Sequence, residues 1–369
     1  MSLHIFSKQT HIDFVGLRHY AYGLSALLLI VGLVTILLHG GLRYGVDFAG
    51  GAAVQLQFQK PVADETIKKS LAELDLPGLA IQQYGEDGRD YLVRFSTPNL
   101  TSEGIRENII ASLDKSFSGN PASIQRLEMV GPKVGADLRN AALEAMYFAI
   151  LLITVYISGR FEQRWMIAAI MAAALGSAMY VMGLLGMDMV YRVIGALALT
   201  LIISWKLKLN YALGAIVGLL HDVLITLGLL EILGKEIDLN IIAALMTLVG
   251  YSLNDTIIVY DRVRENLQNQ PEDDPAPLAD IINLSVNQTL GRTIMTSATT
   301  LIAALSLTIL GGGAIHDFAL TMTIGVFIGT FSSIFVSNPI LLMLGDTRQY
   351  MMARKKNVEY ERPGEHGIV

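Results

Sequence analysis

The feature that most constrains this chain is the spacing of its apolar residues. They fall in long blocks with few charges, at roughly 20–38, 140–158, 166–187, 190–205, 210–233, 239–260, 293–312 and 319–344. A helix needs roughly 20 residues to cross the hydrocarbon core of a bilayer, where only a helix or a closed barrel satisfies every backbone group. The blocks therefore predict a polytopic α-helical membrane protein with eight spans. Only 16% of the 369 residues are charged and 52% are hydrophobic. A soluble chain carries about 25% charged residues, so a soluble protein with buried helices is the poorer reading. The weakest block is 190–205, short and with Arg192 near its start; a re-entrant or strongly tilted segment is the alternative there. The first block follows Lys8 and Arg18, and His39-Gly40-Gly41-Leu42-Arg43 after it offers no small-residue cleavage pattern. A retained anchor over 19–38 is expected rather than a signal peptide.

Residues 39–138 have an ordinary soluble composition. Val54, Leu56 and Phe58 alternate with Gln55 and Gln57, as in a half-buried strand. Ile67, Leu71 and Leu74 recur at helical spacing. Leu79–Tyr84 and Tyr91–Phe95 read as strands around the turn Gly85-Glu86-Asp87-Gly88. Thr101-Ser102 suit the cap of a second helix bearing Ile105, Ile109, Leu113 and Phe117, and Ser123–Val130 is the last strand. The order β-α-β-β-α-β predicts a ferredoxin-like α+β domain.

Lys and Arg set the expected orientation. Lys8, Arg18, Arg160, Arg164, Lys206, Lys208, Arg262, Arg264, Arg292, Arg348, Arg354, Lys355 and Lys356 fall on one set of connections, against Arg192 and Lys235 on the opposite short loops. The first set is expected in the cytoplasm with both termini (1–18 and 346–369), and 39–138 in the periplasm. Arg43 and Arg139 flank that domain against the rule, but long translocated domains obey it poorly. The helical part then runs over 139–345. Its segment 261–291 is cytoplasmic, with breakers at Pro271–Pro277, and the second half of it fits either an amphipathic helix on the bilayer surface or a solvated linker helix.

Several kinds of chemistry are excluded. There is no cysteine, hence no disulfide, thiolate metal site or cysteine nucleophile. A net charge of −6 gives no support to nucleic-acid binding. Signatures for nucleotide, zinc-protease and serine-hydrolase sites are missing, so no enzyme, metal or cofactor is expected. Work must then come from an ion gradient or a partner. Ionisable residues inside spans are costly and point to function. Asp255 lies seven residues before Arg262, about 10 Å from that end of its helix. Ser252 and Tyr251 share its face, which suits a proton relay; a static packing residue is the plainer alternative. Arg292 begins the next span, followed by Thr296, Thr299 and Thr300, and is either a counter-charge for Asp255 or an arginine that snorkels to the surface. His221-Asp222 lies mid-span; neighbours point about 100° apart on a helix and should not line one path unaided. Gly214-x-x-x-Gly218 and Gly325-x-x-x-Gly329 read as helix-packing spacings, and Gly311-Gly312-Gly313 as a turn.

Taken together, several segments resemble the SecF branch of the SecD/SecF family. They are Gly45-Val46-Asp47-Phe48-Ala49-Gly50-Gly51, Val130-Gly131-Pro132-Lys133-Val134-Gly135, Arg160-Phe161-Glu162, His221-Asp222-Val223, Gly250–Thr256, Asp261–Asn266 and Gln288–Thr293, in family order over nearly the whole chain. The resemblance implies a six-helix core of the resistance-nodulation-division type, paired with SecD in the bacterial inner membrane. It implies that the pair uses the proton motive force late in preprotein translocation through SecYEG, with YajC and YidC as further partners. It also implies that Asp255, with Asn254 beside it, and Arg292 lie on the proton path, to which His221 and Asp222 are added from the residues themselves. A non-conducting scaffold and a small-molecule transporter of the same superfamily are the alternatives. One departure is visible. The family passes from R-F-E directly into the helix bearing H-D-V, whereas here Met166–Leu207 intervenes and supplies an extra helical pair at about 166–207.

Overall fold

A computed structural model describes residues 10–84, 87–95, 102–271, 276–312 and 314–344. The expected turn residues Gly85 and Glu86, the cap Thr101, the breakers 272–275, Gly313, Lys8 and the basic tail 346–369 lie outside the described residues. The first long helix, α1, covers Arg18–Leu38. A single turn, α2 (Val46–Ala49), leads into β1 (Gly51–Phe58), α3 (Asp64–Ala72), β2 (Ala80–Tyr84), β3 (Asp90–Phe95), α4 (Ser102–Ser116) and β4 (Ala122–Val130). The helical part follows as α5 (Pro132–Glu162), α6 (Trp165–Leu184), α7 (Met189–Lys206), α8 (Asn210–Ile232), α9 (Leu239–Gln268) and α10 (Leu278–Leu310). It ends with α11 (Ala314–Ser332), a π-helical turn over Ser333–Ser337 and α12 (Asn338–Leu344). By length and composition, eight of the described helical segments can cross a bilayer, the last being the continuous run Ile315–Leu344.

The soluble domain has the expected topology. Its sheet order is β2-β3-β1-β4, with every pair antiparallel. Period-two alternation puts Val54, Leu56, Phe58, Tyr91, Val93 and Phe95 on one face, where Ile67 and Leu71 of α3 and Ile105, Ile109 and Leu113 of α4 cover them. Arg94 and Gln55 occupy the other face, which looks across a polar cleft of about 480 Å³ at the loop before α9 and the start of α11.

One expectation about the helical part is borne out and another is corrected. The stretch at 190–205 is one continuous helix of 18 residues, about 27 Å long, and Asp188 caps it by accepting the N–H of Val190 at 2.9 Å. The second half of 261–291 is neither a surface helix nor a separate linker. It is the beginning of α10, which runs unbroken for 33 residues because no proline or glycine pair interrupts Leu278–Leu310. Likewise α9 continues through Asp261–Asn266 to Gln268.

The central element is α8. It is 72% buried over its most apolar window, against 17% for α1 and for α10. Glycines let its neighbours approach. A Cβ on Gly228 would lie 2.8 Å from the Cα of Gly32 in α1, and one on Gly214 would lie 3.2 Å from the carbonyl oxygen of Ser337. The added pair α6–α7 packs against α5 and leaves the contact between α5 and α8 intact. Its two cytoplasm-type turns are built alike: Gln163 and Lys208 both take φ 55°, and the N–H groups of Arg164 and Leu209 bond back to Ser158 and Ser204 at 3.3 and 2.9 Å. Gly228→Val therefore forces α1 away from α8 and is expected to cost about 1–3 kcal/mol. Thermal unfolding of the purified protein checks this against Gly176→Val, where nothing lies within 4 Å of the new Cβ; equal melting temperatures for the two variants would contradict it.

Candidate functional site

Asp222 and Asp255 are each 1% exposed, and neither pairs with a lysine or arginine among the described residues. Polar groups on five helices hold them instead. On α8, Asp222 Oδ1 meets His221 Nδ1 at 2.9 Å, and His221 Nε2 meets Ser25 Oγ of α1 at 2.8 Å. The expectation that His221 and Asp222 diverge is thus corrected: the two side chains bend toward each other, because each has a buried polar atom to satisfy. Asp222 Oδ2 accepts the hydroxyls of Ser252 on α9 and of Ser332 on α11, the latter at 2.9 Å. Gly329 makes this convergence possible, since a Cβ there would lie 3.1 Å from Ser252 Cβ and 3.4 Å from Asp222 Oδ2.

Asp255 is held by α10 instead. Its Oδ2 accepts Ser297 Oγ of α10 at 3.1 Å, and its Oδ1 accepts Thr296 Oγ1 at 3.3 Å. Thr330 of α11 donates to Ser297 Oγ at 2.8 Å. One helix, α11, therefore touches both carboxylate networks, through Thr330 and Ser332.

The remaining sequence candidates fall into place around these networks. Ser252 shares a helix with Asp255 but serves Asp222. Arg292 is exposed and makes no ion pair with Asp255; it acts on it only through space, since Thr296, one turn on, takes the contact position. Asn254 is exposed on the outer face of α9 and joins neither network, being 100° from Asp255 on the helix.

The glycine-rich segment before β1 is an anchor for α9 and α5. Gly45 N–H bonds to Ile237 O at 2.9 Å, and Asp47 Oδ2 accepts the N–H of Leu239 at 3.0 Å, capping α9. Phe48 is buried among Leu230, Ile237 and Ile241. Gly50, at φ 78°, passes so close to Pro132 that a Cβ would lie 2.7 Å from its Cα, and Gly51 (φ 130°) begins β1. Gly135 packs on the same turn, where a Cβ would lie 3.0 Å from Phe48 O. At the other end of the bundle, Arg160 pairs with Asp261 at 3.1 Å, and Asn266 bonds Gln288 at 3.0 Å.

These motifs meet in space as one family plan. The family model described as "Protein export membrane protein SecD/SecF, C-terminal" matches residues 109–202 and 184–347, and that of the "SecD/SecF GG Motif" matches 35–62. The chain belongs to the SecD/SecF family. Its relatives include the protein translocase subunits SecF of Magnetococcus marinus, 37% identical over 93% of this chain and 94% of that one, and of Escherichia coli O157:H7, 34% identical over 94% and 92%. Among solved structures, SecDF of Thermus thermophilus, a translocon-associated membrane protein, aligns with a TM-score of 0.65 at 31% identity. That alignment covers 90% of this chain but 38% of the SecDF chain, so the chain spans under half of it. A SecDF structure in a super-membrane-facing form aligns at 0.52 and 29% identity, over 96% and 41% of the two chains. The two matches to the SecD/SecF C-terminal model overlap at 184–202, across the end of α6 and most of α7, within the added pair.

Sequence reading missed several polar groups. Glu231, fully buried at the end of α8, takes Arg43 Nε at 2.7 Å and His39 Nδ1 at 3.0 Å; a lone acid closing an apolar block was its only signal. Arg94 of β3 pairs with Glu236, which ties the soluble domain to the α8–α9 loop. Asp238 caps α9 through Ile241 N at 2.8 Å. Burial pushes its carboxyl above the ordinary range, and the nearby Asp317 and Asp47 add to this. A raised folded pKa means that the native state is penalised at neutral pH and relieved as pH falls through that pKa. Asp238→Asn keeps the cap and removes the charge. It is expected to raise the melting temperature at pH 7, with the gain gone below about pH 4, where the unfolded carboxyl is protonated too; thermal unfolding at both pH values checks the sign.

Proposed function

We propose that the chain acts, with a SecD partner, as a proton-driven subunit of bacterial protein export, promoting late preprotein translocation through the SecYEG channel. Near full-length similarity to SecF subunits supports its place in that machinery, and likeness to SecDF supports the SecD partnership. The observation that carries the energetic part is the pair of buried carboxylates, Asp222 and Asp255, joined by hydroxyls on α11. Asp255 exchanges a proton, its hydrogen bonds to Ser297 and Thr296 rearrange, and α11 shifts between its two sets of partners. A single charge moved through 100 mV is worth about 2.3 kcal/mol, enough for a few protons to bias such a movement.

The orientation follows from charge. Arg160, Arg164, Lys206, Lys208, Arg262 and Arg264 fall on the side expected in the cytoplasm, opposite the sheet domain, which argues for that domain in the periplasm and the termini inside. The Arg94–Glu236 pair and the cleft beneath the sheet give helix movement a route to that domain. No cofactor or chemical conversion is part of this reading; the gradient is the energy source. YajC and YidC remain further partners that the family resemblance implies.

A second reading, a scaffold that conducts nothing and holds SecD near the channel, is favoured by one observation: both oxygens of Asp255 are already hydrogen-bonded. Asp255→Asn separates the two. In inverted membrane vesicles containing SecYEG, SecD and this chain, the variant is expected to assemble with SecD, keep export without a gradient, and lose the gain that a proton gradient gives. An undiminished gain would leave the scaffold.

A further inference from the structure

Glu162, which closes the Arg160-Phe161-Glu162 turn, has no place in the relay between Asp222 and Asp255. Its Oε1 accepts the backbone N–H of Tyr211 at 3.0 Å, at the start of α8. Its Oε2 is buried and meets no hydrogen-bond donor. Ser158, one turn back on α5 and fully buried, has its hydroxyl beside this carboxylate. Farther into the bundle, Ser337 Oγ and Asn338 Oδ1 are buried without a hydrogen-bond partner, in residues 1% and 0% exposed. A buried polar atom without a partner costs about 1–3 kcal/mol, and ordered water is the usual means by which a native fold satisfies it.

A chain of neighbouring contacts connects Asp222 with Glu162. Ser332, which donates to Asp222 at 2.9 Å, immediately precedes the π-helical turn Ser333–Ser337. Such turns displace backbone carbonyls from the regular ladder, and Asn338 Nδ2 donates to one of them, Ser333 O. Tyr260 donates to another, Ser337 O, at 3.1 Å. The Tyr260 ring stands 5.2 Å from that of Tyr211 and 5.7 Å from that of Phe161, with Glu162 as an electrostatic neighbour. Gly214 and Gly218 of α8 leave room here, since a Cβ on either would strike the Tyr260 hydroxyl or Ser337 Oγ. The charged and titratable groups around Glu162 are Arg164, Tyr211 and Tyr260.

We propose that Glu162 is the cytoplasmic terminal of the proton path, linked to Asp222 by water held at Ser337, Asn338 and Ser158. This rests on the proton-driven reading above. The O–H bond of protonated Asp222 breaks as a water takes its proton. Each water passes one proton on, and an O–H bond forms at Glu162 Oε2. Glu162 then gives that proton to cytoplasmic water, and the Asp222 carboxylate is ready for the next.

The test uses inverted vesicles with the whole translocase, in which the cytoplasmic face is outside. Gln at 162 still accepts the Tyr211 N–H, so Glu162→Gln preserves the cap of α8 and removes only proton exchange. It is expected to copurify with SecD, keep gradient-independent export and lose the gradient-dependent gain. Ser337→Ala breaks no hydrogen bond and is expected to reduce that gain as well. Glu162→Ala is expected to recover it when acetate is added outside. A full gain in Glu162→Gln overturns the proposal. If Glu162→Gln fails to assemble, Ser337→Ala decides alone, and its full gain overturns the proposal. Asp255→Asn run in parallel separates the two failures: its loss beside an intact Glu162→Gln removes only this inference, while its own intact gain removes the proton-driven reading.

Discussion

Two carboxylates buried in a membrane bundle, with no lysine or arginine partner among the described residues, have to be held by other polar groups, and the arrangement of the helices follows from that need. Ionisable groups are expensive at such depth. Ser25 of α1 meets His221, and Ser252, Ser297, Thr296 and Ser332 come from α9, α10 and α11 to meet Asp222 and Asp255. Glycines let backbones close up around these contacts: Gly32 on Gly228, Gly329 on Ser252, Gly214 and Gly218 on the π-helical turn. The segment from Gly45 to Gly51 serves the same end from outside, tying the starts of α9 and α5 to the entry of the soluble domain.

The added helices α6 and α7 leave this arrangement intact. They are fastened where the two similar turns meet: Glu162 of the first accepts from the start of α8, and Arg164 donates to Leu207 O at the end of α7 at 2.6 Å. Because the addition is a pair of spans, every later helix keeps its direction. The two ranges matched by the family model overlap at 184–202, within this pair.

Much of this is legible in the sequence. Apolar block length marks the spans, and period-two alternation in Val54, Leu56 and Phe58 marks the sheet, since both depend on local pattern. Asp255, His221 and Asp222 stand out because charge in an apolar block is rare. Their partners do not: Ser297 and Ser332 look like any other serine in a span, and only helix packing says which carboxylate each one meets. The same limit explains why Ser252 reads as a partner of Asp255, its neighbour on the helix, when Asp222 across the interface claims it. Asn254 is drawn in by proximity along the chain, and Arg292 by its place at the start of the next span and by the family resemblance; neither makes contact with Asp255, Asn254 being exposed on the outer face of α9 and Thr296 standing where Arg292 was expected. The continuity of α10 is hidden by the polar face of its first turns, which resembles a linker helix until the turns are seen to stack on α9.

The central claim is that Asp222 and Asp255 form one protonation unit coupled through α11. Infrared difference spectra of the purified complex with SecD, recorded across a pH titration, test it most directly. The account predicts carboxyl bands that titrate, one removed by Asp222→Asn and one by Asp255→Asn, with each variant, and Ser332→Ala, shifting the titration of what remains. Spectra in which neither substitution removes a titrating band would contradict it.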